Sequence, residues 1–487
     1  MISADQPYRT IADVHAAIKD GKTTVKAVVE QYLKAIDELD PKINAITVTN
    51  KKTLDEAQRL DELDPAKRGP LHGIPIVVKD QIETVDMATA FGSKACKDYM
   101  PERDATLVRK LKEAGAVIIG KSTMPDWAAS WFSTSSLSET TKNPYDVSRD
   151  PGGSSSGSGA AVAAGMAVAA IGGDTGGSIR LPSSFCGLVG VRVTPGRISR
   201  DGMSALVVTQ DTPGPMTNSV EDAGRILDAI VGFDAEDNYT SVNAIASRPP
   251  TKTPFYDATQ QSSLKGKRLG VLRDVFGTHQ GILSVMDTAL DGLKEAGADL
   301  IDVDIPDLDH YKTFTSVYAT RSKSDINAFL ASRKALSHLN IEDLQRDGVY
   351  HKSLDLIDVL AKGPKEYIKD PHFALRLSEQ SSFQRIVASV FAKHELDAMV
   401  YPTCQLLAPK TQDLLDMRWT CLNYPTNTVI ASQLLFPAMS VPIGKTKDTE
   451  ETPDGPELPV GLELLGLPLG EEKMLAIAAG VEASRRR

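Results

Sequence analysis

Four cysteines in 487 residues, Cys96, Cys186, Cys404 and Cys421, are too few for a disulfide framework and too widely spaced for a CxxC zinc or redox site. They point to a reducing compartment, with Cys186 reading as a small buried hydrophobe. Basic residues are outnumbered, 54 Lys plus Arg against 64 Asp plus Glu for a formal charge of −10, which disfavours nucleic-acid binding through a broad basic face. The terminal Arg485-Arg486-Arg487 reads as a solvated end. No apolar run approaches the roughly 20 residues of a membrane span. Met1-Ile-Ser-Ala-Asp-Gln-Pro-Tyr8 has neither the basic start nor the apolar core of a signal peptide. A cytoplasmic protein with no membrane or nucleic-acid partner is the expectation. Acidic residues show no metal-ligand clustering, so neither metal nor cofactor is expected.

Histidine is missing where a serine hydrolase would most simply use it. The chain has eight, and none lies in the two segments that most resemble a nucleophile loop, Pro151-Gly-Gly-Ser-Ser-Ser-Gly-Ser-Gly159 and Gly172-Gly-Asp-Thr-Gly-Gly-Ser178. Each sets a serine, Ser154 or Ser178, behind a Gly-Gly pair, the form of a backbone that turns sharply or approaches another group closely. Between them Ala160 to Ala170 reads as a small-residue helix. A serine hydroxyl needs a group to take its proton during attack. Lysine serves if burial beside apolar strands penalises its ammonium form. Lys79, at the end of the β-branched run Gly73-Ile-Pro-Ile-Val-Val-Lys79, is the candidate.

The rest of the chain alternates helix and strand, which favours an α/β core. Helices are expected over 10–18 and 24–39, the second stopped by Pro41, and strands over 73–79 and 116–119. A strand over 187–193, a helix over 220–231, a βαβ unit over 268–305, a mostly helical stretch over 313–394 and strands over 398–402 and 438–443 follow. Lys445 to Glu457 reads as a surface loop. The best internal seam is Ser247 to Lys267. Gly115-Ala-Val-Ile-Ile-Gly-Lys-Ser122 formally satisfies a phosphate-loop pattern, which leaves a nucleotide-binding protein as an alternative, but its β-branched middle belongs in a core strand ending near Lys121. Trp127, Trp131 and Phe132 either wall an acyl pocket or belong to the core.

Gly73-Ile-Pro-Ile-Val-Val-Lys-Asp80, the Pro-Gly-Gly-Ser-Ser run and Asp174-Thr-Gly-Gly-Ser-Ile-Arg180 followed by Pro182-Ser-Ser-Phe-Cys-Gly187 resemble the amidase signature family. The resemblance is strongest over about 70–215, weaker elsewhere, and includes Leu458-Pro-Val-Gly-Leu-Glu463. It implies an α/β amidase signature fold, a large mixed twisted β-sheet with helices on both faces, as a single domain over 1–487 with a divergent helix-rich segment over about 310–395. It further implies that Ser178 is the nucleophile, Ser154 a proton bridge behind a cis peptide bond, and Lys79 the base. Backbone N–H groups of Thr175, Gly176, Gly177 and Ser178 would form the oxyanion hole, with Asp174, Arg180 and Ser155 supporting the loops and the Ala128 carbonyl facing the substrate nitrogen. The implied reaction is cleavage of a carboxamide, or an ester or carbamate, by a monomer or homodimer acting on a small molecule. The family also contains the glutaminase component of a tRNA-dependent amidotransferase, but its Arg-Phe-Asp-Gly-like segment is not matched by Thr320-Arg-Ser-Lys-Ser-Asp325. Ser156, Glu139 and Val193 depart from the family pattern.

Overall fold

The structure, a computed structural model, describes residues 1–246 and 251–485. Ser247 to Pro250 of the expected seam, and Arg486 and Arg487 of the terminal triplet, lie outside the described residues. Eleven strands form one mixed sheet: β1 (Ile46–Thr49), β2 (Pro75–Lys79), β3 (Val117–Ser122), β4 (Ala169–Asp174), β5 (Val189–Arg192), β6 (Thr212–Thr217), β7 (Arg268–Val271), β8 (Asp299–Asp302), β9 (Ala398–Pro402), β10 (Ala438–Lys447) and β11 (Glu457–Leu465). Their spatial order is β1-β3-β2-β4-β6-β5-β10-β11-β9-β7-β8. The sheet therefore crosses the expected seam without interruption.

Every residue of β2, β3, β4, β5, β6 and β9 is buried, so the middle of the sheet is covered on both faces. This is why β2, β3, β5 and β9 read as largely continuous apolar runs rather than as alternating ones. β2 lies parallel to both β3 and β4, while β4 pairs antiparallel with β6. The expected βαβ unit is present as β7, the helix Gln280–Glu295 and a parallel β8.

Local sequence explains the ends of the first two helices. Thr10 opens the helix Ile11–Lys19 with a capping box through Asp13. The next helix, Val25–Ile43, runs past Pro41, the expected stop, because Asn44 in the left-handed conformation closes it instead. Two further expectations are corrected. Ala160 to Ala170 is not one helix: the helix is Ser156–Ala164, Gly165 at φ +76° ends it, and Ala169–Asp174 is β4. A run of small residues carries no helical periodicity, and pairing with β2 and β6 takes its second half. Lys445 to Glu457 is only partly loop, since β10 and β11 continue their antiparallel ladder to the pair Lys447 and Glu457.

The helix-rich segment is built from Tyr318–Ala331, Ile341–Arg346, Asp355–Ala361 and Phe373–His394. Its Ile326, Leu330, Ile357 and Leu360 form a separate apolar cluster with Phe91 and Trp127, beside the carboxyl ends of β2 and β4. No described helix is long and apolar enough to cross a membrane.

Candidate active site

Parallel strands expose their carboxyl ends at one edge of an α/β sheet, where ligands commonly bind. β2 ends there with Lys79 and β4 with Asp174. Lys79 is fully buried, and its Nζ lies 2.7 Å from Ser154 Oγ and 3.2 Å from the Gly173 carbonyl oxygen. Burial disfavours the ammonium and carries its pKa from 10.5 down to about 7, against the opposing pull of Asp174 and Asp211. A lysine poised there exchanges protons at neutral pH.

The loop before Ser154 passes so close to Phe132 that a Cβ on Gly153 would sit 2.5 Å from the Phe132 carbonyl oxygen. Only glycine permits that approach. The Gly153–Ser154 peptide is cis. Ser155 then joins the two serine loops: its N–H donates to the Ser178 carbonyl at 3.1 Å, and its Oγ bonds both the N–H and the carbonyl of Gly173, at 3.1 and 3.2 Å. Of the departures from the family pattern, Ser156 begins the helix that follows the first loop. Glu139 adopts φ +56°, a conformation that glycine takes without cost.

The second loop is shaped by a buried carboxylate. Asp174 accepts from the N–H of Gly177 at 3.0 Å and of Ile179 at 3.1 Å, and from Arg180 Nε and Nη2, both at 3.1 Å. Arg192 Nη1 reaches the same carboxylate and the Asp174 carbonyl oxygen, both at 2.9 Å. Burial raises the Asp174 carboxyl, but the two guanidinium groups outweigh it and hold it well below the usual carboxylate range. Arg180 also pairs with the buried Glu463, whose own carboxyl burial pushes up to about 7. Of the four N–H groups expected to face an oxyanion, that of Gly177 is thus engaged by Asp174. Those of Thr175, Gly176 and Ser178 have no hydrogen-bond partner among the described residues. The Gly176 carbonyl accepts from Thr428 Oγ1 at 2.8 Å, which fixes the other side of the loop.

Ser178, nearly buried, opens into a cavity of about 360 Å³ whose wall includes Ala128, Trp131, Tyr318, Leu356 and Val429. Of the aromatic trio, Trp131 lines this cavity. Trp127 stacks on Phe91 at 5.5 Å between ring centroids, and Phe132 packs edge-on against Tyr424 at 5.1 Å, so these two fill core beside the cavity. Trp127 and Ala128 both have positive φ, +55° and +59°. The Ala128 carbonyl accepts no hydrogen bond among the described residues.

Sequence reasoning missed Arg192, Glu463, Thr428 and Asp211. The available signals were a charge inside each of two apolar strand runs, Arg192 in Val189–Arg192 and Glu463 in Glu457–Leu465. Asp211 accepts from Thr175 Oγ1 at 2.5 Å, and burial raises its pKa to about 6. The phosphate-loop alternative loses its lysine: Lys121 is buried in β3, bonding the Ile82 carbonyl and, at 2.9 Å, Thr89 Oγ1. All four cysteines are free and buried.

A family model described as Amidase matches residues 27–475. The chain is 32% identical, over 98% of its length and 96% of the relative's, to the A-subunit of the glutamyl-tRNA(Gln) amidotransferase from Thermoanaerobacter pseudethanolicus. Among solved structures, it resembles the native peptide amidase of Stenotrophomonas maltophilia with a TM-score of 0.85 and 30% identity, covering 98% of this chain and 97% of that one. The A-subunit of the glutamyl-tRNA(Gln) amidotransferase from Thermotoga maritima is similar at a TM-score of 0.77 and 28% identity, covering 99% of this chain and 96% of that one.

Proposed function

The chain belongs to the amidase family of amide C–N hydrolases, and from that premise we propose that it cleaves a carboxamide to acid plus amine or ammonia through an acyl-enzyme on Ser178. The observation that carries this reading is the buried contact of 2.7 Å between Lys79 Nζ and Ser154 Oγ, next to the loop that presents Ser178. Neutral Lys79 takes the Ser154 proton as Ser154 takes that of Ser178, whose Oγ then bonds to the carbonyl carbon. Negative charge gathers on the carbonyl oxygen, where the unpaired N–H groups of Thr175, Gly176 and Ser178 stabilise it. The C–N bond breaks as the proton returns through Ser154 to the leaving nitrogen. Water, deprotonated along the same path, attacks the ester and frees the acid and Ser178. The same steps serve an ester or carbamate.

Asp174 contributes by shape and charge: one carboxylate ties Gly177 inward, which turns the neighbouring N–H groups outward. Trp131 and Ala128 form part of the substrate wall. A single folded unit over 1–487 fits the uninterrupted sheet, and in this reading it acts as monomer or homodimer on a small molecule. A serine-directed fluorophosphonate should label the protein covalently, and Ser178→Ala should remove the label. Equal labelling of that variant would sink Ser178 as nucleophile.

The 32% identity to the A-subunit of an amidotransferase favours a second reading, a glutaminase that works with partner chains. The region around 320–325 speaks against it. Arg321 is folded onto Asp325 through two bonds of 3.1 Å, and Asp325 also accepts the Val208 N–H at 2.9 Å, so these charges are satisfied within the chain. A free-standing amidase is the preferred reading.

A further inference from the structure

The cavity at Ser178 has an unbalanced charge. Among the described residues that line it, Lys312 is the only one with a formal charge, and no aspartate or glutamate joins it. The remaining wall sets apolar surface from Trp131, Leu356, Val359 and Val429 beside uncharged polar groups, among them Thr313, Ser316 and Gln433. Lys312 belongs to the helix Leu308–Phe314 and reaches Asp309, one turn back, at 2.8 Å. That pairing is lopsided: the Lys312 side chain is 22% exposed, the Asp309 side chain 96%. An ion pair whose acid is wholly solvated contributes little and yields readily to a better placed anion.

Inside the cavity the balance differs. Apolar surface beside Lys312 lowers the local dielectric below that of bulk water, so an anion meeting Lys312 there gains more than the same contact would give in solvent. A cationic substrate group would face an ammonium with no carboxylate to receive it. A neutral chain satisfies the walls and leaves Lys312 to water and Asp309.

We propose that Lys312 makes this protein selective for amides that carry a carboxylate away from the scissile bond, an inference that rests on the amidase reading of Ser178. Such a substrate places its amide carbonyl at Ser178, its aliphatic or aromatic body against Trp131, Leu356 and Val429, and its carboxylate on the Lys312 ammonium. Free glutamine, whose α-ammonium lies beside its carboxylate, is a poor match for a wall without an acid. Lys312 is a specificity-determining residue in this scheme and takes no part in bond breaking.

The test compares kcat/KM for hexanamide, adipic acid monoamide and ω-aminohexanamide. A second pair, N-butyryl-β-alanine against N-butyryl-propylamine, shows whether the carboxylate is read on the acyl or the amine side. Wild type should prefer the carboxylate member of at least one pair by roughly tenfold, and should disfavour the ω-amino compound. Lys312→Met should bring that ratio close to one, Lys312→Arg should keep it, and Lys312→Glu should shift preference toward the ω-amino compound. An unchanged ratio in Lys312→Met, or no carboxylate preference in wild type, overturns the inference. If hexanamide is still hydrolysed in a Ser178-dependent way, the amidase reading survives that result; if none of the amides is hydrolysed, both fall.

Discussion

Lys79→Met should abolish turnover and, at pH 7, make the protein more stable. Moving a lysine from a pKa of 10.5 to about 7 corresponds to about 5 kcal/mol at about 1.4 kcal/mol per pH unit. The folded chain bears this cost at pH 7 because the unfolded lysine is protonated and the folded one is close to neutral. Methionine fills the same apolar channel without it. Against this, Ser154 Oγ and the Gly173 carbonyl lose a partner, together about 1–3 kcal/mol. A net gain of about 2–4 kcal/mol remains. Its pH dependence is the sharper signature. Between about pH 7 and 10.5 the unfolded wild-type chain binds the extra proton, so wild-type stability rises with pH across that window. The advantage of Lys79→Met should therefore shrink by about 1.4 kcal/mol per unit and change sign between about pH 8.5 and pH 10. Urea-unfolding curves of both proteins across that range measure it. Parallel pH dependences, or a variant less stable than wild type at pH 7, would refute the claim that Lys79 is held neutral by burial.

The same group sets the kinetics: kcat/KM should fall about tenfold per unit below an apparent pKa near 7, because only neutral lysine accepts the proton; a profile flat down to pH 5 rules out Lys79 as base. Asp174→Asn removes the counter-charge of two buried arginines and should cost about 3–5 kcal/mol in urea unfolding, together with a loss of about a hundredfold in kcat as the Gly177 tether slackens. Activity within threefold of wild type would show that the tether does not aim the loop. Gly177→Ala introduces a Cβ 2.0 Å from Thr428 Oγ1 at a φ of +129°, so it should lower stability by about 2 kcal/mol or more and slow fluorophosphonate labelling of Ser178. Labelling at the wild-type rate would show that the loop accommodates a side chain there.

Legibility followed locality. The sheet core and the meeting of Lys79 with the two serine loops were readable because short motifs carry them: a β-branched run delivers a lysine, and Gly-Gly pairs mark loops whose backbones must approach other chain closely. Fold elements with ordinary periodicity were readable for the same reason. Ala160 to Ala170 was not, since alanine and glycine suit a helix or a buried strand equally and only pairing with β2 and β6 decides. Nor was the division of the aromatic trio, since only the tertiary packing puts Trp131 on the cavity and Trp127 on Phe91.

What lay beyond local motifs is the electrostatic frame. Asp174 and Arg180 sit six positions apart and were recognisable as a pair, but Arg192 and Glu463 complete the cluster from β5 and β11. The purpose of that cluster follows from its composition. Two buried guanidinium groups keep Asp174 ionised, and an ionised Asp174 both holds the N–H of Gly177 and raises the proton affinity of nearby Lys79. Burial lowers the lysine and Asp174 limits how far it falls, so in the proposed mechanism one carboxylate, positioned by residues from distant strands, links the shape of the oxyanion loop to the pH at which the base works. Substitution of Arg192 should therefore disturb loop geometry and base pKa together, a coupling that no segment of the sequence displays by itself.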